Sequence, residues 1–358
     1  MPDSSTLSEP FQGRPDARSA LVTGGAGFIG HNLVRLLLQR GLEVRVLDLR
    51  SSPGLDGRAS FIEGNILDRP LLRDAMEGVD WVFHLAADPN LWAVDKDSFL
   101  STNSEGTRRV IEAAGKSGAS RIVHTSTESI LVGRDCSDGG LIDESVAPRL
   151  EEMRGPYCRS KLLAERTAFE AAERGLPVVV VNPTMPIGAG DYRLTPPTRM
   201  LLDFLNGENP AYLEFEMNLL RASDAARGHL LAAERGRIGE RYILGGGNIK
   251  LSEVLAILED ITGLSMPKTT IPYALALAVA GVSELYADWI SHKPPKASLT
   301  GVQLAGAGMR LDSQKAITEL GYSPTPLREA LSEAVAWLVQ QRLVRRRLPT
   351  RGLVLQDA

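Results

Sequence analysis

The sequence predicts an α/β fold, a Rossmann-like doubly wound parallel sheet followed by a smaller, mostly helical C-terminal part. Three observations carry this prediction. From residue 19 to residue 181, short apolar, β-branched runs alternate with amphipathic segments, as strands of a parallel sheet alternate with covering helices. A glycine-rich turn joins the first such strand to the first helix, where a phosphate-binding loop would lie. Beyond Asn182, prolines at 183, 186, 196 and 197 interrupt the alternation, and helical periodicity then dominates.

Strands are expected at residues 20–23, 44–48, 60–63, 81–85, 121–125 and 178–181. The first helix, 29–40, places Ile29, Leu33, Leu36 and Leu37 on one face. Between strand and helix, Gly24, Gly27 and Gly30 permit a tight turn, close approach of a pyrophosphate to backbone and close helix–strand packing. Phe28 and Ile29 open that helix, whose unpaired N–H groups suit phosphate oxygens. Asp48 ends the second strand, placed to accept hydrogen bonds from an adenosine ribose. Its charge opposes a 2′-phosphate and favours NAD(H), while Arg50 nearby leaves NADP(H) open. Asn65 and Ile66 follow the third strand, where an adenine would lie, and the small Leu85, Ala86 and Ala87 let backbone pass close to a cofactor.

A further helix is expected at 98–117, and Tyr157 and Lys161 fall four apart at the head of another. That spacing makes phenol and ammonium neighbours on one helical face. A fixed cation lowers a phenol's pKa from about 10 and turns it into a usable general acid or base. Later helices are expected at 198–206, 223–235, 252–262 and 327–341, with a strand at 241–244 returning to the sheet. The expected division is a disordered leader at 1–18, a cofactor-binding domain at 19–182 with a return segment near 222–246, a substrate domain from 183–221 and 247–341, and a basic tail at 342–358.

Bulk properties narrow the function. A chain of 358 residues with 43% hydrophobic and 23% charged residues can bury a large core, and a net charge of −4 makes no electrostatic case for nucleic acid. Cys136 and Cys158 are too few for a metal cluster or disulfide framework, which fits a cytoplasmic compartment and no metal. The leader lacks the apolar run of a signal peptide. The longest apolar run, 271–282, is too short to cross a bilayer. Five arginines between Arg342 and Arg351 read as a solvated end, with peripheral contact at the inner membrane face as the alternative.

Several motifs occur in a fixed order: Thr23-Gly-Gly-Ala-Gly-Phe-Ile-Gly30, His84-Leu-Ala-Ala87, Asn103-x-x-Gly106-Thr107, Thr125-Ser-Thr127 and Tyr157-x-x-x-Lys161. Together they resemble the extended short-chain dehydrogenases/reductases over residues 19–340. Within them the chain looks like the hopanoid-associated sugar epimerase group and bacterial lipid ketone reductases, including ceramide reductases and 3β-hydroxysteroid dehydrogenase-like proteins. The resemblance implies Tyr157 as proton donor or acceptor and Lys161 as binder of the nicotinamide ribose. It implies Thr127 as the hydroxyl facing the substrate oxygen, Asn103 near the active-site end of a helix, and Asn182 and Pro183 beneath the nicotinamide. The chain departs from the family pattern at Asn65 (usually Asp), at Asn182 (often Arg) and at Arg221 (usually His).

Two substrate classes follow. A nucleotide sugar needs cations for its diphosphate, and Arg193, Arg199 and Arg221 are candidates; an epimerase would act on it. The neighbouring Met185, Ile187, Leu201, Leu202, Phe204, Tyr212 and Phe215 are apolar. They serve as the core of the small domain or as walls for a lipid-like ketone, such as a 3-oxo-sphingoid or 3-oxo-ceramide, which is the favoured reading. A non-catalytic NAD(H) sensor is the third reading, opposed by the presence of both Tyr157 and Lys161. A homodimer is left open.

Overall fold

Seven parallel strands form the main sheet of the computed structural model, which describes residues 17–133 and 140–349. Strands β1 (Ser19–Thr23), β2 (Glu43–Asp48), β3 (Ser60–Glu63), β4 (Trp81–His84), β5 (Arg121–Thr125) and β6 (Val178–Pro183) alternate with helices. The short β7 (Met185–Ile187), β8 (Ala211–Tyr212) and β9 (Glu216–Arg221) precede β10 (Arg241–Leu244), which returns to pair parallel with β6. β11 (Gly247–Lys250) and β12 (Thr269–Thr270) complete the set. The main sheet runs β3-β2-β1-β4-β5-β6-β10. The order reverses between β1 and β4, and the crevice at the carboxyl ends of these two strands is where doubly wound sheets bind ligands.

Both sheet faces are covered, which explains the continuous apolar strands. Alternate residues of β1 point to opposite faces: Ala20 and Val22 meet Leu33, Val34 and Leu37 of α1 (Phe28–Gln39). Ala225 and Ala226 belong to the same cluster, on the helix Ala222–Arg235. Leu21 faces the other way, onto α2 (Arg69–Ala75), α3 (Gly106–Ser117) and α4 (Gly155–Glu173), through Leu72, Val110, Ile111 and Ala168. After α5 (Pro196–Leu205) and α6 (Ala222–Arg235) a second core forms among α5, α7 (Leu251–Thr262), the sheet β11-β9-β7 and, later in the chain, Leu327–Gln340. Between them lie α8 (Tyr273–Tyr286) and α9 (Leu299–Ala305); Leu327–Gln340 is α10.

Three expectations change. The helix foreseen over 98–117 is interrupted inside that span: Leu100–Glu105 is a π-helical turn carrying Asn103, with α-helical residues at 98–99 before it and Gly106–Ser117 after it, a distortion frequent at functional sites. The apolar run at 271–282 is part of a longer element, because α8 continues through a π-helical turn at Ala287–Ser291. The 19 residues from Tyr273 to Ser291 are long and apolar enough, by length and composition, to cross a membrane. The start of the basic tail is not simply solvated: Leu343, Val344 and Leu348 pack on the second core, and Arg346 donates to the Ser265 carbonyl at 3.1 Å. The leader before Ala17, Cys136 and the tail beyond Pro349 lie outside the described residues.

Candidate active site

Four elements converge at the carboxyl end of the sheet: the β1–α1 turn, the segment after β4, the turn after β5 and the head of α4. The glycine turn is a cradle in which added atoms would collide. Gly24 adopts φ +72°, and a Cβ there would lie 2.6 Å from the Ala86 nitrogen; a Cβ on Gly30 would lie 2.2 Å from the Gly24 carbonyl oxygen. Backbone therefore passes backbone at Gly24 and Ala86 with no side chain between them, which leaves the first N–H groups of α1 open to a phosphate. Phe28 and Ile66 are buried; Ile29, Leu85, Ala86 and Ala87 are half-buried, and Asn65 is exposed with its side chain accepting from the Leu67 N–H. These features fit a dinucleotide.

Asp48 is buried at the end of β2, and its Oδ2 accepts the Ala26 N–H at 3.1 Å, tying the acid expected at the ribose to the glycine turn. Its Oδ1 accepts from the Leu49 N–H and, at 3.1 Å, from the Arg193 guanidinium. Arg193 was expected beside the substrate; it stands instead at the acid end of β2, while Arg50 is simply exposed there. The loop bearing Arg193 reaches α1 as well, with Tyr192 tilted against His31 at 6.5 Å between ring centroids. An Asp48→Ala exchange would remove the charge that opposes a 2′-phosphate and release Arg193 toward it. The ratio of kcat/KM for NADH over NADPH should drop on the order of ten-fold; an unchanged ratio in steady-state assays with both cofactors would refute this role.

Tyr157 stands at the start of α4, buried, with Phe99 edge-on to its ring at 6.3 Å. Burial and the nearby Glu128 raise its pKa well above that of a free phenol, while hydrogen bonding with the Thr127 and Ser129 hydroxyls pulls it down. The expectation that Lys161 lowers it is not met, for a geometric reason: the Lys161 ammonium donates to the Thr125 carbonyl oxygen at 2.7 Å. Burial brings Lys161 itself down to about 8, with Glu165 acting in the opposite sense. Cys158, expected as packing, is fully buried, and burial pushes its thiol up to about 12.

Thr127 lies just beyond β5 and caps a short 3-10 turn, Glu128–Ile130. Its Oγ1 donates to Glu128 Oε2 at 2.9 Å and lies 2.9 Å from the Ser129 hydroxyl. Glu128 is the residue that sequence reasoning missed. Burial pushes its carboxyl up to about 7, against hydrogen bonds from Thr127 and the backbone that favour the charge. Its signal was its place directly after Thr127, but nothing in the sequence shows that the side chain turns inward.

Asn103 and Asn182 act as braces. Asn103 accepts from the Asp88 N–H at 2.8 Å and donates to the Asp88 carbonyl and to Ser160 on α4, so its polar atoms join the segment after β4 to α4 instead of facing a cofactor. Asn182 donates to the Thr127 carbonyl at 3.1 Å and to Glu165 at 2.8 Å; Glu165 in turn pairs with Arg241 at 2.7 Å. That chain of contacts fixes the backbone of Thr127. Pro183 ends β6 beside them, buried.

The expected substrate residues scatter. Ile187 is fully buried in the second core, whereas Met185 touches both that core and the cluster containing Tyr157. Arg221 is paired with Glu333 and reaches Thr325 at 3.5 Å. Tyr157 packs in an apolar cluster with Phe99, Ile130, Met153, Leu162, Leu304 and Met309, and the polar side chains acting on its hydroxyl are those of Thr127, Ser129 and Glu128. No cluster of His, Cys, Asp or Glu among the described residues could hold a metal.

Comparison with known proteins places this site in context. Residues 20–245 match the profile of the NAD dependent epimerase/dehydratase family. The chain is 33% identical over 330 residues to sterol demethylase protein B of Methylococcus capsulatus, covering 91% of this chain and 100% of the relative. It is 32% identical over 312 residues to the 4-hydroxy-2-methyl-3-oxo-4-farnesyl-3,4-dihydroquinoline-1-oxide ketoreductase of Stigmatella aurantiaca, covering 84% and 91%. Among solved structures, DesIV from Streptomyces venezuelae, a dTDP-glucose 4,6-dehydratase with NAD bound, superposes with a TM-score of 0.73 at 28% identity, over 90% of this chain and 98% of that one.

Proposed function

We propose that this chain, which belongs to the NAD-dependent epimerase/dehydratase family, is an NAD(H)-dependent reductase that interconverts a ketone and a secondary alcohol on a lipid-like molecule. One observation carries the choice of substrate class. Arg193 and Arg221, two of the three cations that could neutralise a sugar diphosphate, are each paired with a carboxylate, while Tyr157 packs in an apolar cluster. The sterol-related relative and the farnesyl-quinoline ketoreductase support this class by their names. A 3-oxo-sphingoid or 3-oxo-ceramide has the right chemistry: one ketone, a small polar head and long apolar chains.

In this reading NAD(H), when bound, supplies the hydride, as the family's chemistry requires. The glycine cradle and the N-terminus of α1 would hold its pyrophosphate, and Asp48 its adenosine ribose. The chain's own residues do the rest. Thr127 and Tyr157 hydroxyls would donate to the ketone oxygen, and the raised pKa of Tyr157 keeps a proton on Oη until alkoxide character develops. Glu128 controls how Thr127 spends its hydrogen. While its carboxyl is neutral, the Thr127 proton can turn to the substrate; once ionised, the carboxylate claims it. Turnover should therefore decline as pH rises through about 7, and Glu128→Gln should remove that decline. A Gln variant whose pH profile overlays the parent would refute this role.

A second reading, epimerisation of a nucleotide sugar, is kept because the NAD-bound structural relative is a sugar-nucleotide enzyme. Purified protein with NADH and parallel panels of 3-oxo lipids and nucleotide sugars separates the two. Stoichiometric NADH loss with a lipid ketone supports the reductase; a sugar isomerised with no net NADH loss supports the epimerase and rejects the reductase.

A further inference from the structure

The helical segment Tyr273–Ser291 reverses the polarity of an ordinary surface helix. Its inward stripe consists of alanines, Ala276, Ala280 and Ala287, which are buried. Its outward stripe carries Leu275, Val279, Val282, Leu285, Trp289 and Ile290, with Val282 69% and Trp289 80% exposed. Tyr273 and Tyr286 are exposed near its two ends. Isolated exposed apolar side chains are ordinary, but a continuous patch marks an interaction site.

Charge says what covers it. The only acids in the segment, Glu284 and Asp288, are turned inward. Glu284 accepts the Leu299 N–H at 2.7 Å, and Asp288 accepts from Trp92 Nε1 and from the Lys96 ammonium, both at 2.7 Å. Immediately after it come His292, Lys293 and Lys296, all exposed. An outward face with no acid of its own, aromatic residues near its ends and Lys293 and Lys296 beside it is complementary to an anionic lipid leaflet, with Asp95 and Asp97, exposed beside Trp289, the opposing charges.

The helix is also tied to chain that packs with Tyr157. Asp288 anchors Trp92 on the segment after β4, and Leu91 and Ala93 of that segment pack in the cluster that contains Tyr157. On the other side, the Tyr273 ring lies against Gly306, just after α9, whose Leu304 joins the same cluster. The helix thus touches two pieces of chain that pack in the same cluster as Tyr157.

We propose that the outward face of Tyr273–Ser291 lies in the interfacial layer of an anionic bilayer and holds the Tyr157 site close to lipid. The inward ion pairs hold the helix along the protein surface, so it lies in the layer without spanning it. This deepens the lipid-ketone reading and rests on it only for what the site receives; binding itself needs no catalysis.

The test is flotation of the full chain, loaded with NADH, on phosphatidylcholine vesicles with and without phosphatidylglycerol. The other tryptophans, Trp81, Trp92 and Trp337, are each 7% exposed, so vesicle-induced change in indole emission reports Trp289. The wild-type chain should float with the anionic vesicles and shift its emission to the blue. A Val282→Gln/Leu285→Gln/Trp289→Gln variant should float at about one-tenth of that level while still binding NADH, which shows that it is folded. Lys293→Gln/Lys296→Gln should weaken flotation on the anionic vesicles and abolish its dependence on salt. The proposal is overturned if the wild-type chain fails to float with either vesicle, or if the triple variant floats equally well. It is also overturned if the triple variant converts a wild-type dimer to monomer without vesicles, which would give the face to a second copy. Flotation without turnover of any lipid ketone would keep the surface and reject the reductase reading.

Discussion

Tyr157→Phe should lower kcat by roughly 10²–10⁴-fold, the usual worth of a positioned proton donor, and leave NADH affinity essentially unchanged. The physical reason is that the exchange removes one oxygen from a buried ring and nothing else. The ring would keep its edge-on contact with Phe99, and the glycine cradle lies on other elements. Burial makes Tyr157 a proton holder at neutral pH, so in the proposed reaction it would give a proton to an alkoxide, as ketone reduction requires. Oxidation of the alcohol must first strip that proton and should gain relative to reduction as pH rises. Loss of the hydroxyl also removes its hydrogen bonding with Thr127 and Ser129, which costs about 1 kcal/mol of stability. NADH fluorescence titration and single-turnover kinetics measure the two effects separately. Turnover that survives the exchange would remove Tyr157 from the reaction.

Lys161 carries the second large effect, and it is double-edged. Its pKa falls from 10.5 to about 8 because burial penalises the ammonium. In the unfolded chain the lysine keeps its proton up to its ordinary value. Between about 8 and 10.5 the unfolded state therefore binds more protons than the native one, and stability rises with pH through that window. Below the window the native state bears the full burial penalty, about 3 kcal/mol from the shift, offset by roughly 1 kcal/mol for the hydrogen bond to Thr125. Lys161→Met should thus be inactive yet more stable than the parent by about 2 kcal/mol at pH 7, with the gap closing toward pH 10. Denaturant unfolding at several pH values checks this. A Met variant less stable at pH 7 would mean that the charge is favourably held, by Glu165 above all.

The part of the architecture set by local pattern was readable from the chain. The β-branched strands, the glycine turn and α1 follow from residue periodicity, because a doubly covered parallel sheet demands continuous apolar strands. Tyr157 and Lys161 were legible as helical neighbours, since spacing fixes that much. Their electrostatic relation was not, because it depends on burial and on the Thr125 carbonyl, which lies 36 residues away in the chain. Arg193 illustrates the same limit: a loop after β7 folds back onto Asp48, 145 residues earlier. Glu128 looked like one more polar residue after a strand, and only the 3-10 turn reveals it as buried. The reversed polarity of α8 was hidden as well, since alanine and valine look alike in an apolar run until one knows which faces the protein.

In the proposed reaction, hydride from NAD(H) reaches the carbonyl carbon of a lipid-like ketone while Tyr157 supplies the proton. The most direct measurement is transfer of deuterium from NADH labelled at the transferable nicotinamide position to a 3-oxo lipid, followed by mass spectrometry of the product. One deuterium should appear at the new carbinol carbon for each NADH consumed, and none with Tyr157→Phe although that variant still binds NADH. Unlabelled alcohol, or equal transfer by the Phe variant, would contradict it.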